Sequence, residues 1–214
     1  MLSRLLLPIE RAPMPRILCL VLLLFSLTAF SAEPPRFATL LEEADLVLRP
    51  IPGTTPVAVQ DNPLFPYDYA LDYGEDLKIF YMVRPLARMR IDYEDPHNAA
   101  PDPNHLFPLL FQSLVGLLSG GNYSPSREYP PAQAQEKFRA DWAAAAVFDL
   151  APDFPSDHSQ ALLIAIHKNQ RGDAYMLFLF DHYPAVKRRI QGALNRLAFR
   201  AEPEAQQNQK AGQP

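Results

Sequence analysis
The sequence predicts an α+β fold, an antiparallel β-sheet with helices packed on both faces, and three features carry that expectation. Gln160 to Phe180 holds two alternating runs that are apolar on both faces, as strands covered on both sides are. Tyr67 to Val83 splits at Gly74-Glu75-Asp76 into two further alternating runs. Apolar residues at helical spacing precede and follow these strands.

The first 31 residues read as a secretory signal. Arg16 precedes the apolar run Ile17 to Leu27, and Ala29 and Ser31 stand three and one before a cut between Ser31 and Ala32. At about 15 apolar residues the stretch is shorter than the ~20 that span a bilayer. Met14 offers an alternative start. Cleavage removes Cys19 together with Arg4, Glu10, Arg11 and Arg16, leaving 17 basic and 23 acidic residues, a formal charge of −6. The processed chain is thus expected to be periplasmic or secreted, without a membrane span. Having no thiol, it is expected to form no disulfide, cysteine nucleophile or cysteine-ligated metal centre. Its acidic balance argues against nucleic acid as a partner, because phosphate neutralisation needs a basic surface. A single domain is expected over residues 37–200, and residues 201–214, which lack apolar periodicity, as a disordered tail.

Two short strands are expected around Leu46 to Leu48 and Val57 to Val59, and Pro50, Pro52 and Pro56 suit an edge or a bulged connection. In the first hairpin, Tyr67, Tyr69, Leu71 and Tyr73 alternate before the turn and Leu77, Ile79, Tyr81 and Val83 after it. A three-residue loop sets Tyr69 opposite Tyr81, and Asp72 opposite Lys78 as a favourable charge pair on the other face. Arg84, Arg88 and Arg90 are expected along one strand face. "HLFPLLFQSLVGLLSGG", His105 to Gly121, is apolar around nearly its whole circumference, which predicts a deeply packed helix stopped by the two glycines. "PPAQAQEKFRADW" predicts a shorter helix up to about Asp141, and "WAAAAVFDL" a buried strand with Trp142 as a core anchor.

In the central hairpin, Leu162, Ile164 and Ile166 share a face with Ala174, Met176, Phe178 and Phe180. A loop near Asn169 to Arg171 then sets His167 opposite Asp173. A carboxylate beside an imidazole can orient a general base, but no nucleophile is adjacent in sequence, so His167 and Asp173 are expected to be a structural polar pair. The final helix opens at Pro184 and carries Val186, Ile190, Leu194 and Leu197 on its apolar side, with Lys187, Arg188, Arg189 and Arg196 elsewhere. Asp181 is expected near its start, where a negative charge suits the helix dipole.

"LLIAIHKNQRGDAYMLFLFD", the helix from Pro184 to Phe199 and the opening "DLVLRPIPGTTPVAV" resemble, in their order, the PsbP-like fold family of extrinsic photosystem proteins and bacterial periplasmic relatives. The resemblance covers about half of the processed chain. It implies an antiparallel sheet with helices on both faces and an exported accessory or binding role, and it carries over no functional residue.

The richest polar cluster is "DYEDPHNAAPDPNH", with Asp92, Glu94, Asp95, His97, Asp102 and His105. Oxygen ligands and two imidazoles suit calcium or a transition metal, and these six are the candidate metal ligands. Their spacing matches neither a calcium loop nor an i, i+4 histidine pair, and Asp102 before Pro103 also reads as a helix cap. Asp153, Asp157 and His158 read as polar turn chemistry. No phosphate-cradling glycine loop and no nucleophile elbow is present, so no cofactor is expected. Two function classes remain. One is an exported, non-catalytic accessory or binding domain of the cell envelope, with a periplasmic protein or envelope component as partner. The alternative is a metal-assisted or acid–base hydrolase using the residue 92–105 cluster.

Overall fold
A computed structural model of the chain describes residues 34–89, 102–122 and 125–201. The signal segment, Arg90, Asp92, Glu94, Asp95, His97 and the tail beyond residue 201 lie outside the described residues. In chain order the elements are α1 (Pro35–Glu43), β1 (Leu46–Leu48), β2 (Thr55–Val57), β3 (Tyr69–Asp72), β4 (Lys78–Pro85), α2 (Phe107–Leu118) and β5 (Ser126–Glu128). There follow α3 (Pro131–Phe138), β6 (Trp142–Asp149), β7 (Gln160–Lys168), β8 (Gly172–Phe180), α4 (Tyr183–Leu194) and β9 (Leu197–Phe199). Seven strands pair antiparallel in the order β2-β3-β4-β8-β7-β6-β5, and β1 pairs with β9 in a separate two-stranded sheet. The class is α+β, as the sequence predicts.

Both hairpins adopt the register read from alternation. Tyr69 faces Tyr81 and Asp72 faces Lys78 across β3 and β4, while Ile164 faces Met176 and His167 faces Asp173 across β7 and β8. Every residue of β8 is buried, because β8 has β4 and β7 as neighbours and apolar clusters on both faces. Leu162, Ile164, Ile166, Met176 and Phe178 share one cluster with Phe37 and Leu40 of α1, Phe138 of α3 and Val186 and Ile190 of α4. Leu163, Ala165, Tyr175 and Leu177 belong to the other cluster, to which α2 contributes Phe111, Val115 and Leu118. Phe65, Tyr67 and Phe154, from loops, complete it. One cluster thus draws on three helices and the other on one helix and two loops.

Five sequence expectations are corrected. Helix α2 is not packed all round: it buries Phe111, Val115 and Leu118 but leaves Leu109 and Leu117 at 64% and 47% exposed. A helix laid on a sheet touches it with one stripe, whatever the composition of its outer side. Leu197 does not continue the last helix, which ends at Leu194; it pairs with Leu48 in the small sheet. Helix α3 stops at Phe138, where Arg139 turns into the left-handed region at φ 52°, and β6 leaves Val147 exposed. Arg88 lies in a short 3₁₀ turn, Leu86–Arg88, beyond the end of β4, so it does not share a strand face with Arg84. There its guanidinium holds Glu43, whose carboxyl is lowered by that hydrogen bond.

The helix stop predicted from Gly120-Gly121 is present. Gly121 N–H donates to the Gly116 carbonyl at 2.7 Å and Gly120 N–H to that of Leu117 at 3.3 Å, with both glycines at positive φ. The turn into β8 is more demanding. Gly172 sits at φ 135°, and a Cβ there would lie 2.3 Å from the Arg84 carbonyl oxygen of β4. Gly172→Ala is therefore expected to destabilise the fold by about 2 kcal/mol or more, read as a lower urea midpoint; an unchanged midpoint would contradict this close approach.

Candidate functional site
Unequal cover leaves a cleft. On the face that carries α2, the β2–β3 loop and the β6–β7 loop stand over β3 and β4 and enclose a cavity of about 540 Å³ between them. Tyr67 and Phe80 line it with rings stacked at 4.1 Å and 19°. The β2–β3 loop is held in shape by its own polar groups. Gln60 N–H donates to the Tyr67 hydroxyl at 2.9 Å, and Asn62 Oδ1 accepts from Leu64 and Phe65 N–H, each at 3.1 Å. Asp68 Oδ2 takes Val83 N–H at 2.9 Å; burial nevertheless raises the Asp68 carboxyl above its usual range, with the Val83 bond opposing.

The charged groups lining the cleft are Asp61, Asp72, Lys78 and Asp157. Asp72 and Lys78 stand opposite each other in register, yet they form no ion pair. The Lys78 ammonium reaches instead to Asp157 Oδ2 of the β6–β7 loop at 3.7 Å. Asp72 Oδ1 is left buried with no hydrogen-bond partner among the described residues. The cross-strand charge pair expected from the sequence is thus diverted by a carboxylate from a distant loop. A 3.7 Å pair with a side chain that is 95% exposed adds little stability, and it is readily exchanged.

His167 and Asp173 come together as a buried pair, 1% and 2% exposed, with Nδ1 and Oδ1 2.7 Å apart. Phe107 stacks on the imidazole at 4.0 Å. Surrounding amides fix the outer nitrogen. Gln170 N–H donates to Asn104 Oδ1 at 2.9 Å, which turns the Asn104 amide nitrogen toward Asn169 Oδ1 at 3.4 Å. That same oxygen faces His167 Nε2 at 3.3 Å, so Nε2 carries the hydrogen. Both ring nitrogens are thus engaged, Nδ1 by Asp173 and Nε2 by Asn169, and the contacts tie β7, β8 and the turn between them together. Asp173 Oδ2 and the Tyr175 hydroxyl, on the same sheet face, are buried with no partner among the described residues. Burial, reinforced by the Asp173 charge, pushes the Tyr175 phenol far above its ordinary range.

A second histidine–carboxylate contact escapes the sequence reading. His158 Nδ1 lies 3.0 Å from Asp181 Oδ2, and Asp181 Oδ1 accepts from Ser159 N–H at 2.8 Å and Ser159 Oγ at 2.9 Å. Asp181, which stands just before the His182 N-cap of α4 as expected, thus also latches the β6–β7 loop to the end of β8. The signal was present one step beyond the hairpin: Gln160 faces Phe180, so the next residues outward, Ser159 and Asp181, are neighbours.

Of the six candidate metal ligands, Asp102 and His105 are described. They are exposed, 3.7 Å apart, and Asp102 Oδ1 accepts Asn104 N–H at 2.9 Å to cap the 3₁₀ turn Pro103–His105. Among the described residues, no group of three His, Cys, Asp or Glu side chains converges for a metal.

The buried pair makes a measurable claim. Asp173→Leu alone leaves an unpartnered imidazole and is expected to cost ~3–5 kcal/mol in urea unfolding, whereas His167→Phe with Asp173→Leu should cost less than that single change. A double variant at least as costly as Asp173→Leu would contradict the brace. The loop latch has a pH signature. Hydrogen bonds from His158 and Ser159 hold the Asp181 carboxyl below its ordinary 3.8, so it adds stability above that value and loses it as pH falls through the lower, folded value. Between about pH 5 and about pH 2 the natural chain is expected to lose more stability than Asp181→Asn; parallel losses would contradict the latch.

Compared with family models, curated proteins and solved structures, the chain matches none.

Proposed function
We propose that the protein is an exported, non-catalytic accessory or binding domain of the cell envelope, and that the cleft over β3 and β4 is where it holds its ligand. The observation that carries this reading is the contrast between two polar sites. The cleft is open, with an aromatic lining, a buried acceptor lacking a partner and a weakly held ammonium. Such a concave site with a few convergent polar groups suits ligand binding. The His167–Asp173 pair, by contrast, is sealed, stacked under Phe107 and committed at both nitrogens. A general base needs a free lone pair within reach of a substrate. Among the described residues, no helix is long and apolar enough to cross a membrane. The PsbP-like order of elements supports the same accessory role.

Ala58→Trp tests the reading, since Ala58 is exposed at the cleft and a bulky ring there fills it without entering the core. The full chain, recovered from the extracytoplasmic fraction of expressing cells and incubated with an envelope extract, is expected to retain a small-molecule adduct in native mass spectrometry. The Ala58→Trp chain should lose the adduct at unchanged thermal stability. Ester or phosphoester turnover that disappears in His167→Gln would contradict the proposal.

A further inference from the structure
Four features of the cleft select among ligand chemistries. Asp72 Oδ1 is a buried acceptor without a partner. Asn62 adds a donor: it lines the cleft, and its Oδ1 is fixed by two backbone N–H groups, which leaves its amide nitrogen to donate elsewhere. Lys78 is a cation whose carboxylate partner is nearly fully exposed at 3.7 Å and can be displaced. Tyr67 and Phe80 supply an apolar lining.

Asp72 and Lys78 lie directly opposite across β3 and β4, which places their Cβ atoms about 5 Å apart. The cleft therefore offers a carboxyl from β3 and, from the facing position of β4, an ammonium turned toward Asp157. A polyamine satisfies Asp72 but meets Lys78 with like charge and leaves the Asn62 donor unused. A dicarboxylate satisfies Lys78 and Asn62 but is repelled by Asp61, Asp72 and Asp157. A neutral sugar leaves the charged pair uncompensated. A molecule that carries both an ammonium and a carboxylate answers both sides, its ammonium at Asp72 and its carboxylate at Lys78 and Asn62. Complementary charge placement of this kind fixes orientation as well as partner choice.

We infer that the cleft binds a zwitterionic α-amino-acid ligand, a free amino acid or short peptide with an apolar side chain resting on Tyr67 and Phe80. The inference rests on the reading of the cleft as the ligand site and names its ligand class. The cavity of about 540 Å³ falls within the ~300–1,000 Å³ of small-molecule sites, large enough for a dipeptide.

The test is calorimetric titration of the full chain with L-leucine and L-leucyl-L-leucine, set against 3-methylbutylamine, which lacks the carboxylate, and 4-methylpentanoate, which lacks the ammonium. Binding by leucine or the dipeptide is expected, with each one-charge analogue weaker by about tenfold or more. Asp72→Asn and Lys78→Met, both on partly exposed side chains, should each weaken the zwitterion by about tenfold or more at unchanged thermal unfolding. If 3-methylbutylamine binds as tightly as leucine, the zwitterion assignment is overturned while the cleft stands as a binding site. If neither leucine nor the dipeptide binds, yet the envelope-extract adduct sensitive to Ala58→Trp is present, the ligand class alone is overturned. Absence of both the probe binding and the adduct overturns class and site together.

Discussion
Two adjacent strands with apolar side chains on both faces must be covered twice, and the arrangement of this molecule follows from that demand. In β8 every residue is buried, and in β7 every residue but Gln160 is. Each fully buried Leu, Ile or Phe contributes roughly 1.5–3 kcal/mol relative to exposure, so the central pair makes a large contribution to the favourable side of folding. Neither strand has an apolar face to spare for solvent. Helices α1, α3 and α4 contribute to the cover of one face, and α2 with the loop aromatics Phe65, Tyr67 and Phe154 to that of the other.

The second covering is where the molecule departs from an idealised layered body. A single twelve-residue helix cannot lie over all seven strands, so loops close the remainder, and loops bring polar backbone and short polar side chains with them. Those loops are fixed from within the fold: Asn62 gathers two N–H groups of the β2–β3 loop, and Asp181 gathers His158 and Ser159 of the β6–β7 loop. Between two loops so held, Asp72, Lys78 and the Tyr67–Phe80 stack meet solvent. The cleft is thus a consequence of incomplete cover, and Asp72 Oδ1 is left within it without a partner among the described residues.

How much of this the sequence reveals depends on whether the deciding information is local. Alternation is local, so both hairpins, their turns and their registers down to His167 opposite Asp173 are readable from spacing. The Gly120-Gly121 stop is readable for the same reason. Burial of α2 is not, since composition records that Leu109 and Leu117 are apolar but not that nothing lies outside them. Leu197 keeps helical spacing, yet pairing with Leu48 near the other end of the chain outweighs it. Lys78 faces Asp72 as the register requires, and a carboxylate from the β6–β7 loop takes its ammonium. The cleft is built mostly from two loops without periodicity, so no spacing announces it.

The most direct test of the central claim is native-state amide hydrogen exchange resolved to single strands. If β7 and β8 are the doubly covered centre, their amides exchange last, through openings that cost the full unfolding free energy. Those of α2 and of the exposed edge strand β5 exchange much earlier. Amides of β7 and β8 that exchange as early as those of β5 would contradict the account at its root.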